Sequence, residues 1–344
     1  MDLDNLLGEL AAGRTAALAR AISLVENARP GFERLLATVH PRLGRAQRVG
    51  ITGPPGAGKS TLTQELVRAW RKRGLTVAVV AVDPTSPFTG GALLGDRIRM
   101  EEVALDRGVY IRSMATRGSL GGLATSTREV CDVLDAGGFD RILVETVGVG
   151  QSELAVAGMA DSTVLVLVPE SGDSIQTLKS GVMEVADIYV VNKADRPGAD
   201  KIAREIETTR GIRLGNAFRG MKAHHGVPLK TPQPAAPPPD APGWEPPALL
   251  TVATRSEGID AVIEALDRHH AWMTASGELE RRRRKRLAAR TREVVDRAMR
   301  HWVWQETRAE EMVRDRMDEV AAGRQSPYEL AAEIVSGFKE GARA

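Results

Sequence analysis

The stretch RVGITGPPGAGKSTLTQELVRAWRKRGL, residues 48–75, decides the fold of this chain. A β-branched run leads into a loop that holds Gly53, Gly56 and Gly58, and a helical segment starts at Lys59. This order is typical of a loop that cradles phosphate groups, because its backbone N–H groups and the positive end of the helix face the anion. The predicted phosphate-binding residues are Gly53, Pro54, Pro55, Gly56, Ala57, Gly58, Lys59, Ser60 and Thr61.

Two side chains of this loop carry the predicted chemistry. Lys59 is expected to reach the β- and γ-phosphates of a nucleotide, and the hydroxyl of Ser60 is expected to bind Mg²⁺. The alternative is a glycine-rich turn that binds nothing. This alternative requires that the strand, the loop, the Lys-Ser pair and the helix occur in this order and spacing by chance.

Beyond the loop, short β-branched runs alternate with helical segments. The predicted strands are Val49–Thr52, Val77–Val82, Val109–Arg112, Ile142–Glu145, Thr163–Val168, Ile188–Asn192 and Leu249–Val252. Continuous apolar runs of this kind are typical of strands buried on both faces, and their alternation with helices indicates βαβ units. We therefore predict an α/β fold over residues 46–275, with a doubly wound and mainly parallel sheet.

Helical periodicity flanks this domain on both sides. Residues 1–45 are predicted to form an N-terminal helical extension, and residues 276–344 a C-terminal helical arm with an apolar stripe. The stripe comprises Leu287, Val295, Ala298, Trp302 and Val303. Residues 211–247 hold nine prolines and are predicted to be a surface insertion, either a docking loop or a tolerated insertion.

A second motif, Asn192-Lys193-Ala194-Asp195, follows the predicted strand at 188–192. A carboxylate at Asp195 can accept hydrogen bonds from N1–H and the 2-amino group of guanine, a pattern that adenine lacks. Lys193 is expected to lie against the base and the loop. The alternative is a polar strand-to-helix turn. Downstream of a phosphate loop, the tetrad predicts a guanine nucleotide, GTP or GDP.

Three acidic residues stand where a metal–phosphate site needs oxygen ligands. Asp83 and Glu145 end predicted strands, and Asp96 lies in the segment PFTGGALLGDRIRM. Ligands of doubly wound folds bind at strand carboxyl ends, and Mg²⁺ prefers hard oxygen ligands. We predict that these acids, with Ser60, bind Mg²⁺ and serve catalysis. The alternatives are a helix N-cap at Asp96 and solvated strand ends at the other two.

The segment after Glu145 bears on the rate of hydrolysis. Small GTPases carry Asp-x-x-Gly followed by a glutamine that orients water, whereas this chain has Glu145-Thr146-Val147-Gly148 followed by Val149. Gly148 is assigned to the nucleotide site. Because valine cannot orient water and Gln151 lies two residues later, we expect slow hydrolysis that a partner stimulates.

Composition sets limits on the remaining possibilities. The net charge is +2 and aromatic residues make up 4%, so the composition does not predict a nucleic-acid partner. The basic run Arg281–Arg286 is predicted to be a solvated helix face, with nucleic acid or an anionic partner as the alternative. No apolar stretch is long enough to span a membrane, and no targeting signal is evident at the N-terminus. We expect a cytoplasmic protein without a membrane association, in which the single cysteine, Cys131, serves packing.

Five segments in order resemble the MeaB/ArgK branch of metallochaperone-like P-loop GTPases, which includes the methylmalonic aciduria type A proteins. They are GITGPPGAGKST, VDPTSPFTGGALLGDRIRM, ETVGVGQSE, PESGDSIQTLKSG and NKAD. The resemblance implies a chaperone of an adenosylcobalamin-dependent acyl-CoA mutase and a C-terminal arm that forms a homodimer. It also assigns Asp173, Gln176 and Lys179 to a third switch that relays the nucleotide state.

Two rival functions follow from other features. Relatives of this family have been read as kinases that support basic amino-acid transport, but a kinase that uses ATP needs no guanine reader. Metal delivery would draw on the pairs His224-His225 and His269-His270. Adjacent residues on a helix or strand face different ways, so each pair alone makes a poor chelate.

Overall fold

The computed structural model describes residues 2–83, 101–115, 120–146, 156–169, 181–213 and 243–341. The chain divides into two compact units, Met1–Glu280 and Arg281–Ala344. The strands are β1 (Gln47–Thr52), β2 (Val77–Asp83), β3 (Val109–Ala115), β4 (Arg141–Thr146), β5 (Ser162–Leu167), β6 (Ile188–Asn192) and β7 (Ala248–Thr251). The helices of the first unit are α1 (Leu3–Ala11), α2 (Thr15–Glu26), α3 (Phe32–Val39), α4 (Lys59–Lys72), α5 (Glu101–Ala104), α6 (Leu120–Ala136), α7 (Ala199–Arg213) and α8 (Ile259–Ala275).

The seven strands form one sheet in the order β3-β2-β4-β1-β5-β6-β7, and every neighbouring pair is parallel. This confirms the predicted α/β fold and all seven predicted strands, whose bounds move by no more than a few residues. Since the strands are parallel, their carboxyl ends meet along one edge. Thr52, Glu145, Asn192 and Thr251 lie at or next to those ends.

The sheet is covered on both faces, which explains the continuous apolar runs. Along β2, Val77 and Val79 pack into the core shared with α4 and α8, whereas Ala78 and Val80 pack into the core shared with α2 and α6. Successive side chains of a strand point to opposite faces, so a strand covered on both sides needs apolar residues at every position.

The N-terminal helices pack on the second of these cores. Their buried residues share a cluster with α6, and the connection into β1 is held by Asp135 of that helix. Its carboxylate accepts hydrogen bonds from the backbone N–H groups of Gly44, Arg45 and Ala46 at 2.9, 3.2 and 3.0 Å. Arg48 at the start of β1 pairs with the same carboxylate at 3.0 Å. A buried acid thus fixes where the extension ends and the sheet begins.

The C-terminal unit consists of helices joined by short breaks. They are α9 (Glu278–His301), which starts just before the unit boundary, a π-helical segment at Trp302–Glu306, α10 (Ala309–Ala321) and α11 (Pro327–Gly341). The helical backbone continues from His301 through Trp302 and Trp304 with π geometry and ends after Glu306. Thr307 adopts an extended backbone, and its hydroxyl accepts the N–H of Ala309 at 3.2 Å, which begins a new helix.

Among the described residues, no helix combines the length and the apolar character needed to cross a membrane.

Candidate nucleotide-binding site

The predicted phosphate loop connects β1 to α4 and is already organised by its own hydrogen bonds. Lys59 is the first residue of α4 and is buried, with 6% of its surface exposed. Its Nζ donates to the carbonyl oxygens of Gly53 at 2.9 Å and Pro54 at 3.0 Å. The ammonium group is thereby held inside the curve of the loop, where an incoming phosphate can replace the carbonyls as its partner.

Glu145 lies beside this loop, near the end of β4, and is 1% exposed. One of its carboxylate oxygens accepts from the Ser60 hydroxyl at 2.6 Å, and the other accepts from the Thr63 hydroxyl at 2.9 Å. The structure therefore brings together two of the predicted metal ligands, Ser60 and Glu145. A hydroxyl and a carboxylate at this separation offer the hard oxygen donors that Mg²⁺ prefers.

Asn192, the first residue of the predicted guanine-reading tetrad, is buried and bonded within the protein. Its side chain is 3% exposed, and Nδ2 donates to the carbonyl of Ala57 in the phosphate loop at 2.9 Å. Its Oδ1 accepts from the hydroxyl of Thr251 and the N–H of Ala253, both at 3.1 Å. In this structure Asn192 acts as a brace between β7 and the phosphate loop.

Gly58 explains how this brace fits. A Cβ atom at Gly58 would lie 2.4 Å from Nδ2 of Asn192, so any side chain there would displace the amide. The residue also has φ of 83°, which glycine adopts without strain. The glycine that completes the phosphate-loop motif is thus also needed for contact with the tetrad.

Lys193 and Asp195 are less buried than Asn192. Lys193 is half-buried, has φ of 56°, and donates from Nζ to the carbonyl of Gly56 at 2.8 Å. The side chain of Asp195 is exposed, and no described residue pairs with its carboxylate. The tetrad therefore makes a second contact with the phosphate loop and leaves one carboxylate available to a ligand.

Sequence reasoning missed three residues of this arrangement. Thr63 lies three residues after Ser60 and therefore on the same face of α4, which is a signal that could have been used. Thr251 ends β7, the strand next to β6, and stands opposite Asn192 in the parallel register, whereas Ala253 lies just after that strand. No local pattern pairs these positions, because they are 59 residues apart in the chain.

Several predicted site residues lie outside the described part of the chain. Asp83 is the last residue of β2, but the placement of its side chain is not described. The others are Asp96, Gly148, Val149, Gln151, Asp173, Gln176 and Lys179, together with residues 214–242 of the proline-rich insertion. Their predicted roles stay predictions.

Two further residues that the sequence singled out, Cys131 and His269, are buried. Cys131 is fully buried in α6, and burial raises the pKa of its thiol to about 11. His269 is fully buried, with Nδ1 at 2.8 Å from the Ser162 hydroxyl and its ring stacked on Trp272. Within the described residues, no group of three or more histidine, cysteine or acidic side chains is placed to hold a metal ion.

Comparison with protein families identifies one that spans most of the chain. The family described as methylmalonyl-CoA mutase-associated GTPase MeaB matches residues 18–308.

Individual relatives agree with this match. A protein of Pyrococcus abyssi named as a GTPase is 46% identical over 293 residues, which cover 85% of this chain and 84% of that protein. The GTPase ArgK of Escherichia coli is 36% identical, covering 82% of this chain and 80% of its own length. The mitochondrial methylmalonic aciduria type A homologue of mouse is 37% identical, covering 82% of this chain and 66% of that protein.

A solved structure extends the likeness to the fold. A protein described as a LAO/AO transport system kinase superimposes with a TM-score of 0.63 at 27% identity, covering 98% of this chain and 97% of that one. The shared fold spans nearly the whole length of both chains.

Proposed function

Because this chain belongs to the MeaB family of methylmalonyl-CoA mutase-associated GTPases, we propose that it binds and hydrolyses GTP as a chaperone of an adenosylcobalamin-dependent acyl-CoA mutase. In this role it gates cofactor loading and protects the mutase. The observation that carries the proposal is the double contact between the two nucleotide motifs. Asn192 and Lys193 of the guanine tetrad bond to Ala57 and Gly56 of the phosphate loop. A ligand with both a guanine base and phosphates fits such a joined site.

Each half of the site has a proposed task. Lys59 exchanges the carbonyls of Gly53 and Pro54 for phosphate oxygens, and the backbone N–H groups of the loop bind the same anion. Asp195 accepts from the guanine edge, and Lys193 supports the loop beside the base. Ser60 and Glu145, with Asp83 and Asp96, are the residues proposed to hold Mg²⁺. A Mg²⁺ ion held by these residues would neutralise negative charge on the phosphates of the nucleotide.

Hydrolysis is proposed to be slow until the mutase binds. The segment after Glu145 carries Val149 where a water-orienting glutamine is usual, so the chain alone has no side chain at that position to orient the attacking water. Completion of the site in trans accelerates other GTPases by about 10³–10⁵-fold. Asp173, Gln176 and Lys179 are proposed to relay the nucleotide state to the partner.

Single-turnover hydrolysis of GTP tests this proposal, with and without an adenosylcobalamin-dependent acyl-CoA mutase. We expect the mutase to accelerate the wild-type protein strongly, and Gln176→Ala and Lys179→Ala to reduce that acceleration while leaving intrinsic hydrolysis nearly unchanged. Equal stimulation of all three proteins would dismiss the relay. No stimulation of the wild type by such a mutase would remove the chaperone role.

The base selectivity separates this proposal from a kinase that uses ATP. The superimposable structure is described as a transport system kinase, so the comparison of nucleotides is decisive. We expect calorimetric titration to give much tighter binding of GTP than of ATP. Equal affinities would contradict the guanine assignment.

A homodimer through the C-terminal unit is part of the proposal. No residue of α9 is buried in the single chain, and Leu287 and Val295 are 45% and 52% exposed. Apolar side chains exposed in a row are typical of an interface. We expect light scattering to report a dimer for the wild type and a monomer for Leu287→Asp/Val295→Asp. A matched control is Leu105→Asp, at an exposed leucine of the first unit, and dissociation by this control would contradict the assignment.

A further inference from the structure

The turn that follows β7 is closed by its own backbone. Val252 and Glu257 form an antiparallel bridge, in which the N–H of Val252 donates to the Glu257 carbonyl at 3.1 Å and the N–H of Glu257 donates back at 3.2 Å. Between them, Ser256 adopts φ of 56°, which is uncommon for a residue with a side chain. This base-side turn, residues 252–257, is therefore a compact unit closed by its own hydrogen bonds.

One side of the base-side turn holds the guanine tetrad. The N–H of Ala253 donates to Oδ1 of Asn192 at 3.1 Å, and Ala253 is buried. Because Asn192 opens the tetrad, this bond links the turn directly to the tetrad.

The other side of the turn is tied to the helix that leaves the phosphate loop. The hydroxyl of Ser256 donates to Oε2 of Glu65 at 2.6 Å. Glu65 lies in α4, six residues after Lys59, which is about 9 Å along the helix axis at 1.5 Å per residue. It is 8% exposed, and its other oxygen accepts from Arg68 at 2.6 Å.

A carboxylate on the buried side of α4 is unfavourable without a specific partner. Its neighbours Leu62 and Leu66 are fully buried in the apolar core, where burial of a charge costs free energy unless hydrogen bonds compensate. Arg68 could satisfy this charge within the helix alone. The contact with Ser256, 191 residues away in the chain, adds a link between two parts of the site.

We propose that Glu65 is a positioning residue for guanine recognition, which holds the base-side turn at a fixed distance from the phosphate loop through Ser256. The proposal rests on the proposed GTP site. With this bond, the turn is anchored to the phosphate side twice, at Asn192–Ala57 and at Ser256–Glu65. Without it, the turn keeps the packing of Ala253 against α4 and the link through Asn192, but loses its polar bond to the helix.

The test separates the base half from the phosphate half by the choice of ligand. Calorimetry of the full-length protein compares GDP with inorganic pyrophosphate, which reaches the phosphate loop alone. Glu65→Ala and Ser256→Ala are each expected to weaken GDP binding by about 3- to 10-fold, the loss that one hydrogen bond corresponds to. Pyrophosphate binding is expected to stay within about twofold of the wild type. The double variant should bind GDP no more weakly than either single variant, because the two substitutions remove the same hydrogen bond.

Two further variants serve as controls. Glu65→Gln keeps an oxygen that accepts from Ser256 and should retain most of the GDP affinity. Arg71 lies in the same helix as Glu65 and forms an ion pair with Asp106 at 2.9 Å, which Arg71→Ala removes without changing the contacts of the base-side turn. It should lower the melting temperature and leave the ratio of GDP to pyrophosphate affinity unchanged.

The possible outcomes are distinct. An equal loss of GDP and pyrophosphate binding in Glu65→Ala would show that Glu65 only supports the helix, and unchanged GDP binding in Ser256→Ala would show that the bond does not position the turn. Either result overturns the proposal while the GTP site stands. A wild-type protein that binds ADP as tightly as GDP overturns the guanine site itself.

Discussion

The phosphate half and the base half of the candidate site are built on opposite principles. Lys59, Ser60 and Glu145 are at most 9% exposed, and each is bonded to another part of the protein. On the base half, Asp195 is exposed and pairs with no described residue. Phosphate must therefore compete with existing hydrogen bonds, whereas a base meets an exposed carboxylate that pairs with no described residue. The phosphate half is organised before a ligand binds, and selectivity is left to the exposed half.

The largest effect is expected on the phosphate half. Lys59→Ala removes the buried ammonium group bonded to Gly53 and Pro54 and should weaken GDP binding by about 100-fold or more, because charge-assisted bonds to phosphate are lost. Lys193→Ala is the matched change on the base half, and it should weaken GDP binding by less than about tenfold. Titration of GDP measures both. Similar losses of GDP affinity in the two variants would contradict the proposed difference between the phosphate half and the base half.

The next largest effect is a change of base preference. Asp195→Asn exchanges an acceptor for a donor at the exposed carboxylate, so guanine binding should fall by about 10- to 100-fold and relative binding of xanthosine nucleotides should rise. Calorimetry with GTP and XTP measures the change. Asp200→Asn, at an exposed acid nearby, should leave both affinities as they are. If Asp195→Asn keeps its preference for guanine, the base half lies elsewhere.

A smaller effect is expected at Thr63, which the structure added to the phosphate half. Thr63→Val leaves one oxygen of Glu145 without its donor, at a cost of about 1–3 kcal/mol for a buried acceptor. Both the melting temperature and GTP hydrolysis should fall. Thr63→Ser keeps the hydroxyl and should restore hydrolysis. Equal hydrolysis in the wild type and Thr63→Val would show that Glu145 needs no support from this side chain.

The smallest effect provides a reference for all the others. Burial raises the pKa of Cys131 to about 11, so the thiol stays protonated in the folded protein at pH 8.5, whereas more of it ionises on unfolding. Alkylation by iodoacetamide should be slow in the wild type and in every site variant that stays folded. The raised pKa also means that stability falls as the pH rises from about 9 to about 11, since only the unfolded chain releases the proton there. Rapid alkylation of a variant would assign its loss of binding to unfolding.

The sequence predicted the sheet well because its signals are local. A strand covered on both faces, such as β2 or β5, is a continuous apolar run whatever its neighbours are. The signal of the phosphate loop is equally local, since Gly53, Lys59 and Ser60 lie within one short consecutive segment. The sequence did not show the break at Thr307 in the C-terminal arm, because no glycine or proline marks it.

What the sequence by itself determined is therefore the α/β fold and the two nucleotide motifs, which are encoded by spacing over a few residues. Only the tertiary structure decided how the motifs meet. It turned Asn192 inward as a brace, placed Thr63 on Glu145, and joined Glu65 to Ser256 across 191 residues. These bonds depend on the register of parallel strands and on the packing of α4 against the base-side turn. Neither the register nor the packing leaves a repeating pattern in the sequence. Each brings together residues that are far apart along the chain, and their separation depends on the length of the elements between them.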